Sequence, residues 1–231
     1  MVDAGAAIID VGGESTRPGA QSVTIEEERR RVLPIVEFIK KAFPEVIISV
    51  DTSKPGIMAD AIKAGAHFIN DVNALQEPGA LDVIADSNVA VCLMHMQGEP
   101  RTMQKNPQYQ DVVQDIYDYL QQRIESCINA GISKDRIVVD PGFGFGKSMQ
   151  HNLKLMNNLG KFKQLGVALL VGVSRKSMIG AILDKPVEDR LIGSVTLAAL
   201  SLWLGTNIVR VHDVEPTIEV LKIINAIKSA Q

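Results

Sequence analysis

Short apolar runs that end in a polar residue recur along the chain, separated by stretches with helical spacing. Ala6-Ala-Ile-Ile-Asp-Val-Gly-Gly13, Val46-Ile-Ile-Ser-Val-Asp-Thr52, His67-Phe-Ile-Asn-Asp-Val72, Val89-Ala-Val-Cys-Leu-Met-His-Met96, Ile137-Val-Val-Asp140, Val167-Ala-Leu-Leu-Val-Gly-Val-Ser174 and Asn207-Ile-Val-Arg-Val-His-Asp213 predict seven strands. Near-continuous apolar strands alternating with helices describe a parallel sheet covered by helices. The first helix is predicted from Thr24, a capping residue, with Glu26, Glu27 and Glu28 in the first turn where acids suit the dipole. The charge run Glu26 to Arg31 reads as a solvated helix face. Pro55 opens the next helix, which ends at Lys63-Ala-Gly65. After a polar loop from Gln97 to Gln108, a long amphipathic helix runs to about Ala130, and others cover Asn152 to Lys163, Val187 to Leu204, and the chain from Pro216. Gly5, Gly65, Gly166 and Gly205 stand just before strands, where left-handed caps stop helices.

Ala4-Gly-Ala-Ala-Ile-Ile-Asp10 and Ala64-Gly-Ala-His-Phe-Ile-Asn-Asp71 echo each other, which favours a repeated βα unit. Seven such units invite comparison with the eight-fold barrel, whose active site lies at the C-terminal strand ends. A doubly wound open sheet is the competing architecture. Met1 to Gly5 reads as the last turn and cap of a helix, so the chain is expected to begin inside a βα unit. The expectation is a truncated or mis-started barrel with two open sheet edges, or one whose gap another segment fills.

The stretch Ile137 to Lys147 changes character at Asp140: three β-branched residues, then an acid, a proline and three glycines. It reads as a buried strand delivering a carboxylate into a pocket, with glycines that let the backbone approach a ligand and Lys147 adding positive charge to the rim. The other strand ends present Asp10, Asp51, Asn70 with Asp71, His95, Ser174 with Arg175 and Lys176, and Arg210 with His212. In one parallel sheet these converge on one face. Acids and bases together imply a ligand with a donor-rich edge and an anionic part. Phe143 and Phe145 are placed to cover a flat ligand. Structural alternatives stand beside these: Asp10 ordering the Gly12-Gly13 turn, Asp71 capping the next helix, and His95 as a near-core histidine. His67 and His151 read as structural or exposed.

Composition narrows the setting. The chain has 231 residues, 46% of them hydrophobic, and can bury a substantial core as one large α/β domain or as two small ones; nothing resembles a linker, and a single domain spanning 1–231 is expected. A net charge of −3 argues against nucleic acid or an anionic membrane as partner. Cys92 and Cys127 offer neither metal spacing nor a disulfide framework, which fits a reducing cytoplasmic setting. There is no run of eighteen apolar residues, no Walker-type loop and no His/Cys metal spacing.

Ile9-Asp-Val-Gly-Gly-Glu-Ser-Thr-Arg-Pro-Gly19, Ser49-Val-Asp-Thr-Ser-Lys54, Ile69-Asn-Asp71, Asp140-Pro-Gly-Phe-Gly-Phe-Gly-Lys147, Ser174-Arg-Lys-Ser-Met178 and Arg210-Val-His-Asp213, taken in order, resemble the dihydropteroate synthase family of bacterial folate synthesis, the sulfonamide target. The resemblance implies a TIM-type (β/α)8 barrel, here lacking its first strand and most of its first helix, and a homodimer. It implies a transferase that condenses a dihydropterin-methyl diphosphate with 4-aminobenzoate and releases diphosphate. Asp51, Asn70, Asp140 and Lys176 would hold the pterin; Arg210 and His212 the diphosphate, with Thr16 beside it; Arg17, Pro18, Phe145 and Ser174 would shape the 4-aminobenzoate pocket with Lys176. Asp51, Asp140, Lys176, Arg210 and His212 would be the catalytic set. Mg2+ would come with the diphosphate, and the family's Asn ligand and mobile loop precede the region where this chain begins, so no metal ligand is assigned and turnover by the chain alone is expected to be poor. A methyltetrahydrofolate methyltransferase and a non-catalytic pterin-binding protein are the rival readings.

Overall fold

The computed structural model describes residues 1–15, 19–98 and 102–230. Seven parallel strands are present among them: β1 (Ile8–Gly12), β2 (Ile47–Asp51), β3 (Phe68–Asp71), β4 (Ala90–Met94), β5 (Ile137–Asp140), β6 (Ala168–Val171) and β7 (Ile208–Val209). They pair in sequence order, β1 through β7. A doubly wound sheet reverses its strand order partway, so this order rules that architecture out. The helices are α1 (Ile25–Ala42), α2 (Pro55–Ala64), α3 (Ala80–Ala85), α4 (Val112–Asn129), α5 (Met149–Asn157), α6 (Ser177–Leu183), α7 (Leu191–Trp203) and α8 (Val214–Ser229). The sheet curls: Arg210, just past β7, reaches a carboxylate on β1. This is the TIM-type barrel arrangement, with seven strands among the described residues.

Strand alternation divides the core in two. Ile69, Leu93, Val139 and Val171 face outward and pack with helical residues such as Val36, Ile57, Ile116 and Leu155. One residue out of phase, Phe68, Cys92, Val138 and Leu170 form a second apolar cluster inside the curl. That inner layer is the floor on which the site is built.

The punctuation behaves as its chemistry requires. The Thr24 hydroxyl accepts from Glu27 N at 3.3 Å, and Pro55 occupies the first position of α2. Gly5, Gly65, Gly166 and Gly205 all have left-handed φ, at 96°, 114°, 67° and 107°. Three elements differ from expectation. α3, only six residues long, falls between strands where too few turns exist to make a period visible. α6 starts at Ser177, in a stretch for which no helix was expected, with Lys176 at its N-cap. β7 stops at Val209, so Arg210 and His212 lie beyond the strand. Among the described residues no helix is long and apolar enough to cross a membrane.

Candidate active site

A layer that is polar on β3 and β5 sits two residues up from the apolar floor. Asn70, Met94 and Asp140 follow Phe68, Cys92 and Val138 on the same faces of β3, β4 and β5, because side chains alternate with period two. Asp51 on β2 is paired in register with Asn70, and Asp10 with Ser49. The Ser49 hydroxyl donates to Asp10 Oδ1 at 2.5 Å, and Asn70 Nδ2 lies 3.4 Å from Asp10 Oδ2. Arg210 closes the ring, donating from Nε to Asp10 Oδ2 at 2.6 Å and from Nη2 to Asp51 Oδ2 at 3.3 Å. Ser174 Oγ accepts from His212 N and lies 3.0 Å from His212 Nδ1.

Burying this much charge changes proton affinities. Burial, and after it the charge of Asp10, pushes the Asp51 carboxyl up to about 7. Burial also raises Asp140, against the pull of the Lys176 ammonium and of the Gly142 N–H that donates to its Oδ1 at 2.7 Å. Burial brings Lys176 down to about 8, with Asp140 opposing. Burial works to lower Arg210 too, but Asp10 and Asp51 leave it above its usual value. The set therefore offers carboxylate acceptors to a donor-rich edge and a fixed guanidinium to an anion.

The Gly-rich loop after β5 forms the adjoining wall. Gly142, Gly144 and Gly146 have φ of +69°, +82° and +64°, and a Cβ on Gly142 would stand 1.9 Å from the His95 carbonyl oxygen. Lys176 donates to the Phe143 carbonyl, and its ammonium lies 4.6 Å from the centre of the Phe145 ring. Two expectations fail here. Phe143 is fully buried in the outer core and covers no ligand, because it points away from the site beneath its own loop. Lys147 is not on the rim: it is 3% exposed, directed under the loop, with Nζ 3.0 Å from His95 Nδ1. Burial pushes it well below the usual lysine value and lowers His95 to about 2. The near-core reading of His95 is the one the structure supports.

Other placements follow. Asp10 binds Ser49 and Arg210 across the sheet, so ordering the Gly12-Gly13 turn is not its role. Asp71 is fully buried and accepts from Asn73 N and Leu75 N, shaping a turn well before α3. Glu28, expected on a solvated face, is 1% exposed, because Thr52 donates to it at 2.6 Å and Lys54 bridges it to Glu14. A cavity of about 490 Å3 opens on this side, lined by Glu14, Glu28, Asp51, Lys54 and Asn73 among others. Thr16, Arg17 and Pro18 lie outside the described residues. Arg123, Gln104 and Tyr109, which brace site loops through backbone carbonyls, gave no sequence signal because the loops they reach are distant in the chain.

Residues 1–212 match the pterin binding enzyme family. The chain is 51% identical to the dihydropteroate synthase of Escherichia coli (strain K12) over 231 residues, covering all of this chain and 82% of that protein. It resembles the crystal structure of the Yersinia pestis dihydropteroate synthase with a sulfonamide drug complex at a TM-score of 0.96 and 49% identity, covering 99% of this chain and 82% of that one. The Xanthomonas albilineans dihydropteroate synthase with 4-aminobenzoic acid superposes at a TM-score of 0.93 and 45% identity, covering 98% of this chain and 81% of that one.

Proposed function

This chain belongs to the pterin-binding enzymes and, within them, to the dihydropteroate synthases, and from that premise we propose how its residues divide the work. The reaction is a transfer: the dihydropterin methylene leaves its diphosphate and is taken by the amino group of 4-aminobenzoate. The C–O bond to diphosphate breaks, the C–N bond forms, and the arylamine loses a proton. Sulfonamides compete as analogues of 4-aminobenzoate. We assign residues 1–231 to one pterin-binding domain.

Asp51, Asn70 and Asp140 face the N–H-rich edge of the pterin, and Lys176 borders it. As diphosphate departs, the methylene and ring become cationic, and the carboxylates of Asp51 and Asp140 oppose that charge from fixed positions. Arg210 and His212 receive the leaving oxygens, a role to which Thr16 is also assigned from its motif. Phe145 and Ser174 border the 4-aminobenzoate next to Lys176, and Arg17 and Pro18 are assigned to the same pocket from their motif. The observation that carries this reading is the layer of Asp51, Asn70 and Asp140 over an apolar floor, closed by Arg210. The rival methyltransferase would have no need of the Ser174-Arg-Lys-Ser-Met178 and Ser15-Thr-Arg-Pro-Gly19 segments.

Mg2+ enters only as a companion of the substrate diphosphate. Among the described residues no group of three His, Cys, Asp or Glu could hold a metal ion, and Asp10 and Asp51 are both engaged by Arg210. Mg2+ commonly rests on one or two carboxylates plus substrate phosphates. These residues alone do not make its site, and no step here passes through it. A homodimer is supported by apolar side chains exposed on α6 and α7, including Ile182, Ile192 and Trp203. The two buried free cysteines fit a cytoplasmic location. The deciding experiment is product analysis with both substrates: the chain should join the pterin methylene to the amino nitrogen of 4-aminobenzoate with one diphosphate released per conjugate formed, and diphosphate release with no conjugate would refute the assignment.

A further inference from the structure

The backbone of the Gly-rich loop is accounted for atom by atom. The carbonyls of Gly142 and Phe145 accept from Lys147 Nζ at 2.8 and 2.9 Å. The carbonyl of Phe143 accepts from Lys176, that of Gly144 from Gln104, and that of Gly146 from the Tyr109 hydroxyl at 2.8 Å. Of these five consecutive carbonyls, those of Gly142 and Phe145 turn beneath the loop to Lys147 and the other three turn to Lys176, Gln104 and Tyr109, reversals that the three positive-φ glycines permit. Lys147 is the group that holds the inward pair.

We propose that Lys147 is a positioning residue for the reaction: from under the loop it sets the Phe143 carbonyl and the Phe145 ring that together hold the Lys176 ammonium. Phe145 lies between two Lys147 contacts, its own carbonyl and that of Gly142, and Phe145 N also donates to Gly142 O at 3.1 Å. A shift of either carbonyl therefore rotates the ring. Nζ also lies 3.0 Å from the His95 imidazole and 3.3 Å from the His95 carbonyl oxygen, which ties the loop to the end of β4. The inference rests on Phe145 and Lys176 being substrate-facing. Asp51 and Asn70 reach the pterin from their own strands, while Asp140 and Lys176 touch the loop through Gly142 N and the Phe143 carbonyl and pass on a smaller effect to the pterin. The larger effect falls on the arylamine, which Phe145 faces.

The test is a double-mutant cycle. Lys147→Met should raise the KM for 4-aminobenzoate about tenfold and that for the dihydropterin diphosphate no more than about threefold. In a Phe145→Ala background the same change should add no more than about twofold, because the ring it positions is already gone. Equal factors in both backgrounds, or equal rises in both KM values, overturn the proposal. A fluorine label on the Phe145 ring reports its position without catalysis: its resonance should move in Lys147→Met and return toward that of the wild type in Lys147→Gln, which keeps two N–H donors. An unmoved resonance overturns the proposal, as does failure of both variants to fold. A wild-type chain that releases no diphosphate would instead sink the functional reading, leaving the label to decide on Lys147.

Discussion

Arg210 Nε lies 2.6 Å from Asp10 Oδ2, and this contact joins the two ends of a seven-strand sheet across 200 residues of sequence. With its second contact to Asp51, the same guanidinium bridges two acids and is held in a fixed orientation beside them. Arg210→Met is expected to lower the rate of diphosphate release about 10²–10³-fold, the range seen when one fixed donor to a developing anion is lost. Arg210→Lys should recover only part of this, since an ammonium cannot span both carboxylates. Steady-state kinetics of diphosphate release measure both.

Asp140 spends Oδ1 on Gly142 N. Asp140→Asn keeps an acceptor for that N–H and removes the charge. Hydrogen bonds to charged groups are worth about 1.5–3 kcal/mol, so pterin affinity should fall roughly 10–150-fold. Calorimetric titration with the dihydropterin diphosphate measures the loss, and unchanged affinity would remove Asp140 from the pterin site.

Substrate affinity should follow a bell in pH. Asp51, raised to about 7, gains its charge as the pH rises through that value, and Lys176, lowered to about 8, loses its own above it. Stability runs the other way on the acid side. A carboxyl whose folded pKa exceeds the unfolded 3.8 stabilises the fold fully below that value, and the gain is lost as the pH rises through about 7. Asp51→Asn should flatten the acid limb of the binding profile while leaving the alkaline limb in place.

Two substitutions away from the substrate test the wall and the turn that support it. Gly142→Ala would force a Cβ to within 1.9 Å of the His95 oxygen at φ +69° and should cost at least about 1–3 kcal/mol. Arg123→Met removes the donors to the carbonyls of Ala74 and Leu75, consecutive residues at φ 51° and 57°, and should cost about 1–3 kcal/mol. Urea unfolding gives both values. A Gly142→Ala chain as stable as the parent would contradict the packing described for the loop.

Ile192 and Trp203 are 67% and 49% exposed and lie eleven residues apart on α7, close to three helical turns. Ile192→Glu should convert the proposed homodimer to monomer in sedimentation experiments. A parent chain that sediments as a monomer would refute the homodimer.

Much of this was legible in the chain because its punctuation is local. Seven apolar runs became seven strands, and the glycines before four of them adopt the left-handed caps their positions demanded. Asp51, Asn70 and Asp140 could be placed together because each ends a strand of one parallel sheet. What could not be read was direction. Lys147 and Glu28 sit among polar neighbours that suggest solvent, yet both turn inward to partners set by distant segments. Phe143 and Phe145 share a motif but divide between core and site, since the intervening glycine reverses the backbone.

The filled carbonyls of residues 142–146 carry a consequence for inhibition. Those carbonyls are spent on Lys147, Lys176, Gln104 and Tyr109, so a compound resting on this wall meets a main chain fixed from behind and framed by glycines whose positive φ disfavours any side chain. Such a surface is less open to change by point mutation than one made by an aromatic or flexible side chain.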